Sequence, residues 1–132
     1  MPQFDYNYSY DPMMPGLTVR FSVPGTSQRS QPYPAILDTG ADATIVPQDL
    51  LTSLGARFVR YQRMVTLSGS LDRVRIYGVT VHIGEHTVYG VRAVGLPVTL
   101  NPTADEIIIG RDVLNQLRIT LDGPGEVVEI HD

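Results

Sequence analysis

The sequence predicts an all-β domain that closes into a barrel and carries one short helix in its C-terminal half. Three observations predict it. Apolar and polar residues alternate with period 2 in Leu17–Val23 and in Val79–Ile83, the pattern of strands with one buried face. Twelve glycines and ten prolines punctuate seven or eight short apolar runs, as turns do between short strands. Only the segment after Gly110 combines Val113, Leu114 and Leu117 into the apolar side of a clear helix. Strand-rich domains of this size close into barrels because closure leaves fewer unpaired edges.

Composition limits what such a domain can do. At 132 residues, 42% hydrophobic and 18% charged, the chain suits one core rather than two. A formal charge of -4 offers no general attraction for nucleic acid or an anionic membrane. Arg57, Arg60 and Arg63 beside Tyr61 read as a solvated segment rather than a phosphate track. The lack of cysteine removes thiolate nucleophiles, thiolate metal sites and disulfides. The start has no basic segment leading into an apolar stretch, and no run of about 18 apolar residues occurs. The expectation is a soluble, untargeted, cytoplasmic protein.

Residues 1–16 stand apart from the domain expected over 17–132. Phe4, Tyr6, Tyr8 and Tyr10 alternate among Pro2, Pro12 and Pro15. This arm reads as an added edge strand, a mobile extension or a segment that is processed. Leu17–Val23 is the first strand of the domain, and Pro24-Gly25 opens a polar loop. A strand at Ala35–Leu37, an acidic turn and a strand at Ala43–Val46 follow. Pro47 ends that strand, since it lacks an amide donor, and leads into a short helical turn to Leu54 that Gly55 stops. Val65–Val74 reads as a hairpin with its tip at Ser68-Gly69-Ser70. Strands at Val74–His82, with a bulge at Gly78, and at Thr87–Val94 come next. Thr80 and His82 lie opposite the valines, so His82 reads as a surface residue. After a loop at 97–105, Ile107–Ile109 forms a buried strand, and Arg118–Leu121 and Val127–Ile130 form a terminal hairpin about Asp122-Gly-Pro-Gly125.

Asp38 sits where the Ala35–Leu37 strand enters a turn, in Ile36-Leu-Asp-Thr-Gly-Ala-Asp-Ala-Thr44. One reading is an Asx-type turn in which Asp38 bonds its own loop. The other is a catalytic carboxylate, and it requires a second acid. Two carboxylates held close share one proton, so the charged one activates water and the protonated one donates to a carbonyl oxygen. The rest of the sequence supplies little competing chemistry. His82, His86 and His131 form no metal-binding pattern, no serine elbow occurs, and neither a metal nor a cofactor is expected.

The stretch Ile36–Thr44 resembles the active-site signature of retropepsins, the single-domain aspartic proteases of retroviruses and their cellular and bacterial relatives. Ile107-Ile-Ile-Gly-Arg-Asp-Val-Leu114 is similar to their second signature, and the glycine-tipped hairpin falls between the two as it does in the family. The likeness runs from about Leu17 to Leu121. It implies a homodimeric acid-protease barrel in which each copy supplies one Asp38. It implies that the Thr39 hydroxyl bonds to the opposite subunit and that Gly40 admits substrate backbone. Gly40, Ala41, Asp42 and Ala43 would meet an extended peptide, closed over by a flap containing Leu67, Ser68, Gly69 and Ser70. Thr44, Gly110 and Arg111 would support the turn, with Arg111 pairing Asp42. Ala43 departs from the viral pattern, where a second acid often stands, and the chain continues past the usual end into a further hairpin. The implied activity is peptide-bond hydrolysis. A non-catalytic peptide-binding or dimerisation module remains the alternative.

Overall fold

The computed structural model describes residues 2–66, 69–97 and 106–132. Its strands in chain order are β1 (Gln3–Asp5), β2 (Gly16–Ser22), β3 (Tyr33–Leu37), β4 (Ile45–Pro47), β5 (Arg57–Thr66), β6 (Gly69–Ile83), β7 (His86–Leu96), β8 (Ile108–Ile109), β9 (Arg118–Asp122) and β10 (Val127–His131). Two short helices interrupt them, α1 (Gln48–Leu54) and α2 (Arg111–Leu114). Most of the loop expected at 97–105 lies outside the described residues.

The main sheet runs β2-β3-β8-β4-β7-β6-β5, and β2 also pairs with β6. That extra pairing, Arg20↔His82 through Ser22↔Thr80, closes six strands into a ring and leaves β5 outside it. The barrel is mixed: β3 with β8 and β4 with β7 are parallel, while the other pairs are antiparallel. Its core follows from the alternation in the sequence. Leu17, Val19 and Phe21 turn inward from β2, and Val79, Val81 and Ile83 from β6, all buried.

The helical content divides between two elements rather than one. The longer, α1, lies in the N-terminal half, where buried Leu51 anchors it and Gly55, at φ 83, ends it in the left-handed conformation that glycine tolerates. The helix in the C-terminal half has only four residues, because the chain turns at once after Leu114.

Residues Gln3–Asp5 add an edge strand to the chain's own C-terminal hairpin, forming the small antiparallel sheet β1-β10-β9. Tyr6 is buried while Tyr8 is exposed. The aromatics therefore do not line one face, because the strand ends at Asp5 and the chain folds back through the Asn7↔Met14 bridge.

The Arg57–Arg63 segment is the body of β5, with Arg57, Arg60 and Arg63 exposed. On its exposed side Arg73 lies 4.5 Å over the Tyr61 ring and Arg75 lies 5.4 Å over Phe58, so the arginines cover aromatic surface while keeping their charge in water. The bulge expected at Gly78 falls elsewhere. Between β6 and β7 the register shifts opposite Val79 and Val81, and the extra residue is on β7, where Gly90 takes φ 69.

His82 is buried rather than on the surface, and so is Thr80. Period 2 separates the faces of β6 correctly, but both faces are covered. The His82 ring is held between hydroxyls, with Nε2 2.8 Å from Ser22 Oγ and Nδ1 3.3 Å from Thr87 Oγ1. Burial, and then the positive charge of Arg29, hold its pKa below the usual 6.5. The unfolded chain takes up that proton near its ordinary pKa, whereas the folded chain resists it. This site's contribution to stability is therefore complete above about pH 6.5 and is lost as pH falls through the folded value. In denaturant titrations, the loss of stability between about pH 7.5 and about pH 5 should be smaller for His82→Asn than for wild type. Equal losses would contradict this account of the buried imidazole.

Candidate active site

The turn carrying Asp38 is built from pairings far apart in sequence. β3 runs parallel to β8, with Leu37 opposite Ile109, and the Asp38 amide donates to the Ile109 carbonyl at 3.0 Å. Asp38 thus leaves the sheet at its last backbone bond, half-buried. Its Oδ1 accepts the Gly40 amide at 2.8 Å. The Asx-type turn and the candidate catalytic carboxylate are therefore the same object: the bond that shapes the turn also aims the acid. A methyl group on Gly40 would stand 3.2 Å from Asp38 Oδ1, crowding the carboxylate.

The segment after β8 locks the turn from beneath. Gly110 has no room for a side chain, since a Cβ there would lie 2.6 Å from the Ala43 carbonyl oxygen and 2.9 Å from that of Ala41. The Arg111 amide donates to the Ala41 carbonyl at 2.9 Å. The Arg111 side chain donates through Nη1 to the Thr39 carbonyl at 2.8 Å and through Nη2 to Asp42 Oδ1 at 2.7 Å. Asp42 is 91% exposed in this pair, so its ion pair adds at most about 1 kcal/mol. The contribution of Arg111 is chiefly geometric, joining Thr39 and Asp42 to one rigid fork.

Thr44 is fully buried. Its hydroxyl and amide donate to the two oxygens of Asp112 at 2.8 and 3.0 Å, and its hydroxyl accepts the Gly110 amide at 3.3 Å. Asp112 is the supporting residue that sequence reasoning passed over. It stands inside the second motif as the next residue after Arg111, but an acid in the first turn of a helix reads as an ordinary helix-end charge. Only the non-local contact distinguishes it.

The structure thus gathers Asp38, Thr39, Gly40, Ala41, Asp42, Ala43, Thr44, Gly110 and Arg111 into one cluster. The hairpin contributes less. Leu67 and Ser68 lie outside the described residues, and Gly69 and Ser70 are the first residues of β6, with Gly69 paired to Thr66 and Ser70 to Val65. Gly69 and Ser70, expected at the tip, therefore belong to the ladder, and Ser68 lies outside the described residues. Ala43 and Ile45 pack against Val74, Ile76, Val94 and Leu96, so an apolar wall joins the turn to the stem of this hairpin. Among the described residues no three His, Cys, Asp or Glu side chains gather to hold a metal ion.

A family model described as "gag-polyprotein putative aspartyl protease" matches residues 26–116, a span that holds the turn, the hairpin and the Gly110–Asp112 segment. The chain belongs to the retropepsin-like aspartic protease family. Among solved structures, EIAV protease complexed with the inhibitor HBY-793 superposes with a TM-score of 0.59 at 19% identity, covering 86% of this chain and 93% of that one. At that identity the likeness establishes a shared fold. No curated protein sequence matches the chain.

The two acids that touch the turn should differ in what they cost to remove. Asp112→Ala strands the buried Thr44 donors and should destabilise by about 1–3 kcal/mol. Asp42→Ala removes only an exposed partner and should cost under about 1 kcal/mol. Urea unfolding of both variants checks the order, and an equal or reversed effect would show that Asp112 does not hold the turn.

Proposed function

We propose that the protein is an aspartic endopeptidase that works as a homodimer, with the Asp38 carboxylates of two copies facing each other across one catalytic water. The observation that carries this reading is the placement of Asp38. It is held at the end of β3 by the Ile109 carbonyl and the Gly40 amide, and the turn it heads is clamped by Arg111 and Asp112. Such bracing fixes a side chain's position, and the chemistry requires a second acid held as well. A symmetric partner brings an identical acid in identical bracing. Thr39 supports the same reading. It is exposed, and among the described residues its hydroxyl makes no hydrogen bond within its own chain, leaving it available to a partner subunit.

In this mechanism the two carboxylates hold one proton between them. The ionised member takes a proton from the water as its oxygen attacks the scissile carbonyl carbon, and the other donates its proton to the carbonyl oxygen. The tetrahedral diol then collapses. The C–N bond breaks, a proton passes to the departing amine, and the pair is left sharing one proton again. No covalent enzyme intermediate and no cofactor enter these steps. The exposed backbone at Gly40 and the small Ala43 leave space for an extended peptide to lie along the turn as an added strand, closed over by the β5–β6 hairpin.

Asp38→Asn should lower cleavage of a mixed peptide pool by at least about a thousandfold at acidic to neutral pH, while sedimentation still shows a dimer. Equal cleavage by both proteins would refute Asp38-dependent catalysis. Peptide binding without cleavage by either would favour a binding module.

A further inference from the structure

A second polar site lies on the covered outer face of β6. A cavity of about 780 Å³ opens between β6 and the connection that follows β2. Gly78, Thr80 and His82 form its floor, the 23–29 segment walls it, and Arg29, Arg57 and Arg92 stand around it. None of its lining residues belongs to the Asp38 turn or to Gly110–Asp112, and none is an aspartate or glutamate.

The arginines are placed by strand register. Gly78 is paired with Arg57 of β5 on one side and with Arg92 of β7 on the other, so two guanidinium side chains flank a position that has no side chain. A Cβ at Gly78 would stand 3.2 Å from Arg92 Nη1, which shows that the Arg92 head group lies across the glycine. Arg29 joins them from the loop, near enough to His82 to lower its pKa. Among the described residues none of these three arginines has a carboxylate within ion-pair distance.

Like charges gathered across a sheet repel and destabilise it. Here three of them collect in a chain whose formal charge is -4, so a generally basic surface does not account for the cluster. A floor of hydroxyl groups deepens the pattern. Ser22 and Thr80 are buried, and Thr87 completes the polar surround of the imidazole. Guanidinium forks over hydroxyl donors in a concave site are the arrangement that recognises oxyanions. The volume suits a small ligand rather than the flat track of a polymer.

We propose that this cavity is a binding site for a small polyanion, a compact ligand with two or more neighbouring oxyanion groups held by Arg29, Arg57 and Arg92, of which a diphosphate is the simplest. Phosphoryl and carboxylate ligands share this chemistry. The site stands whether or not Asp38 is catalytic.

The test titrates the full chain with pyrophosphate, with citrate, and with sodium chloride at matched ionic strength, read by the amide resonances of Gly78 and Thr80 and by the His82 ring. Saturable shifts with pyrophosphate or citrate are expected, and sodium chloride should not reproduce them. Tighter binding of pyrophosphate assigns a phosphoryl ligand, and tighter binding of citrate a polycarboxylate. A ligand seated beside Arg29 also offsets the positive charge of Arg29 at His82, so the His82 pKa should rise on binding. The combined Arg57→Gln and Arg92→Gln substitutions, both at exposed positions, should weaken binding tenfold or more while the unliganded chain keeps its dispersed spectrum. Binding of neither anion, shifts matched by sodium chloride, or unchanged affinity in the doubly substituted chain would overturn the proposal.

Discussion

The hydrogen bonds between the Asp38–Thr44 turn and the Gly110–Asp112 segment are the constraint on which the geometry of the candidate site rests. Bringing together segments about 70 residues apart costs chain entropy, and that cost rises only slowly with separation. A cluster of directed bonds into a buried threonine offsets it and leaves little freedom in the result. The Thr44 hydroxyl donates to Asp112 and accepts from Gly110, and the Thr44 carbonyl accepts the Val94 amide at 2.9 Å. β4, β7, the end of β8 and α2 thus converge on one small residue. Asp38 inherits its position from that junction, because β3 and β8 end together at it.

The same sheet serves two purposes through the length of β6. At 15 residues this strand spans about 50 Å, well beyond an ordinary strand. Its C-terminal half closes the barrel against β2. Its N-terminal half leaves the barrel with β5 to form the hairpin beside the turn. Between the two lies the stretch from Gly78 to His82, buried on both faces, whose face away from the core borders the cavity beside the connection after β2. Arg57, Arg60, Arg63, Arg73, Arg75 and Arg92 all stand on β5, β6 and β7. The negative balance of the chain therefore falls elsewhere, and β5, the exposed edge, carries the charges that discourage edge-to-edge pairing.

Much of this was legible where a local rule decides the outcome. The alternation of Leu17, Val19 and Phe21 gave β2, Gly55 gave the end of α1, and Asp38-Thr-Gly40 with Gly110-Arg111 gave the candidate site. Local rules failed where the answer depends on what lies across the sheet. His82 looked exposed because alternation reports faces, not whether a second layer covers them. Arg57–Arg63 lacked a strand signature because register shifts at Phe58/Arg60 and Gln62/Met64 break the period that marks a strand. β1 could not be assigned a partner from sequence, since it pairs with β10 at the other end of the chain. Asp112 was hidden for the same reason: its role exists only once Thr44 lies above it.

The central claim is that one working site needs an Asp38 from each of two copies, and mixing the two forms of the chain tests it most directly. With wild type held constant and rising amounts of Asp38→Asn allowed to exchange subunits, peptide cleavage should fall steadily as mixed dimers draw wild-type copies out of active pairs. Cleavage that stays at its starting rate, while exchange is demonstrated by mass, would mean that a single Asp38 suffices and would contradict the account.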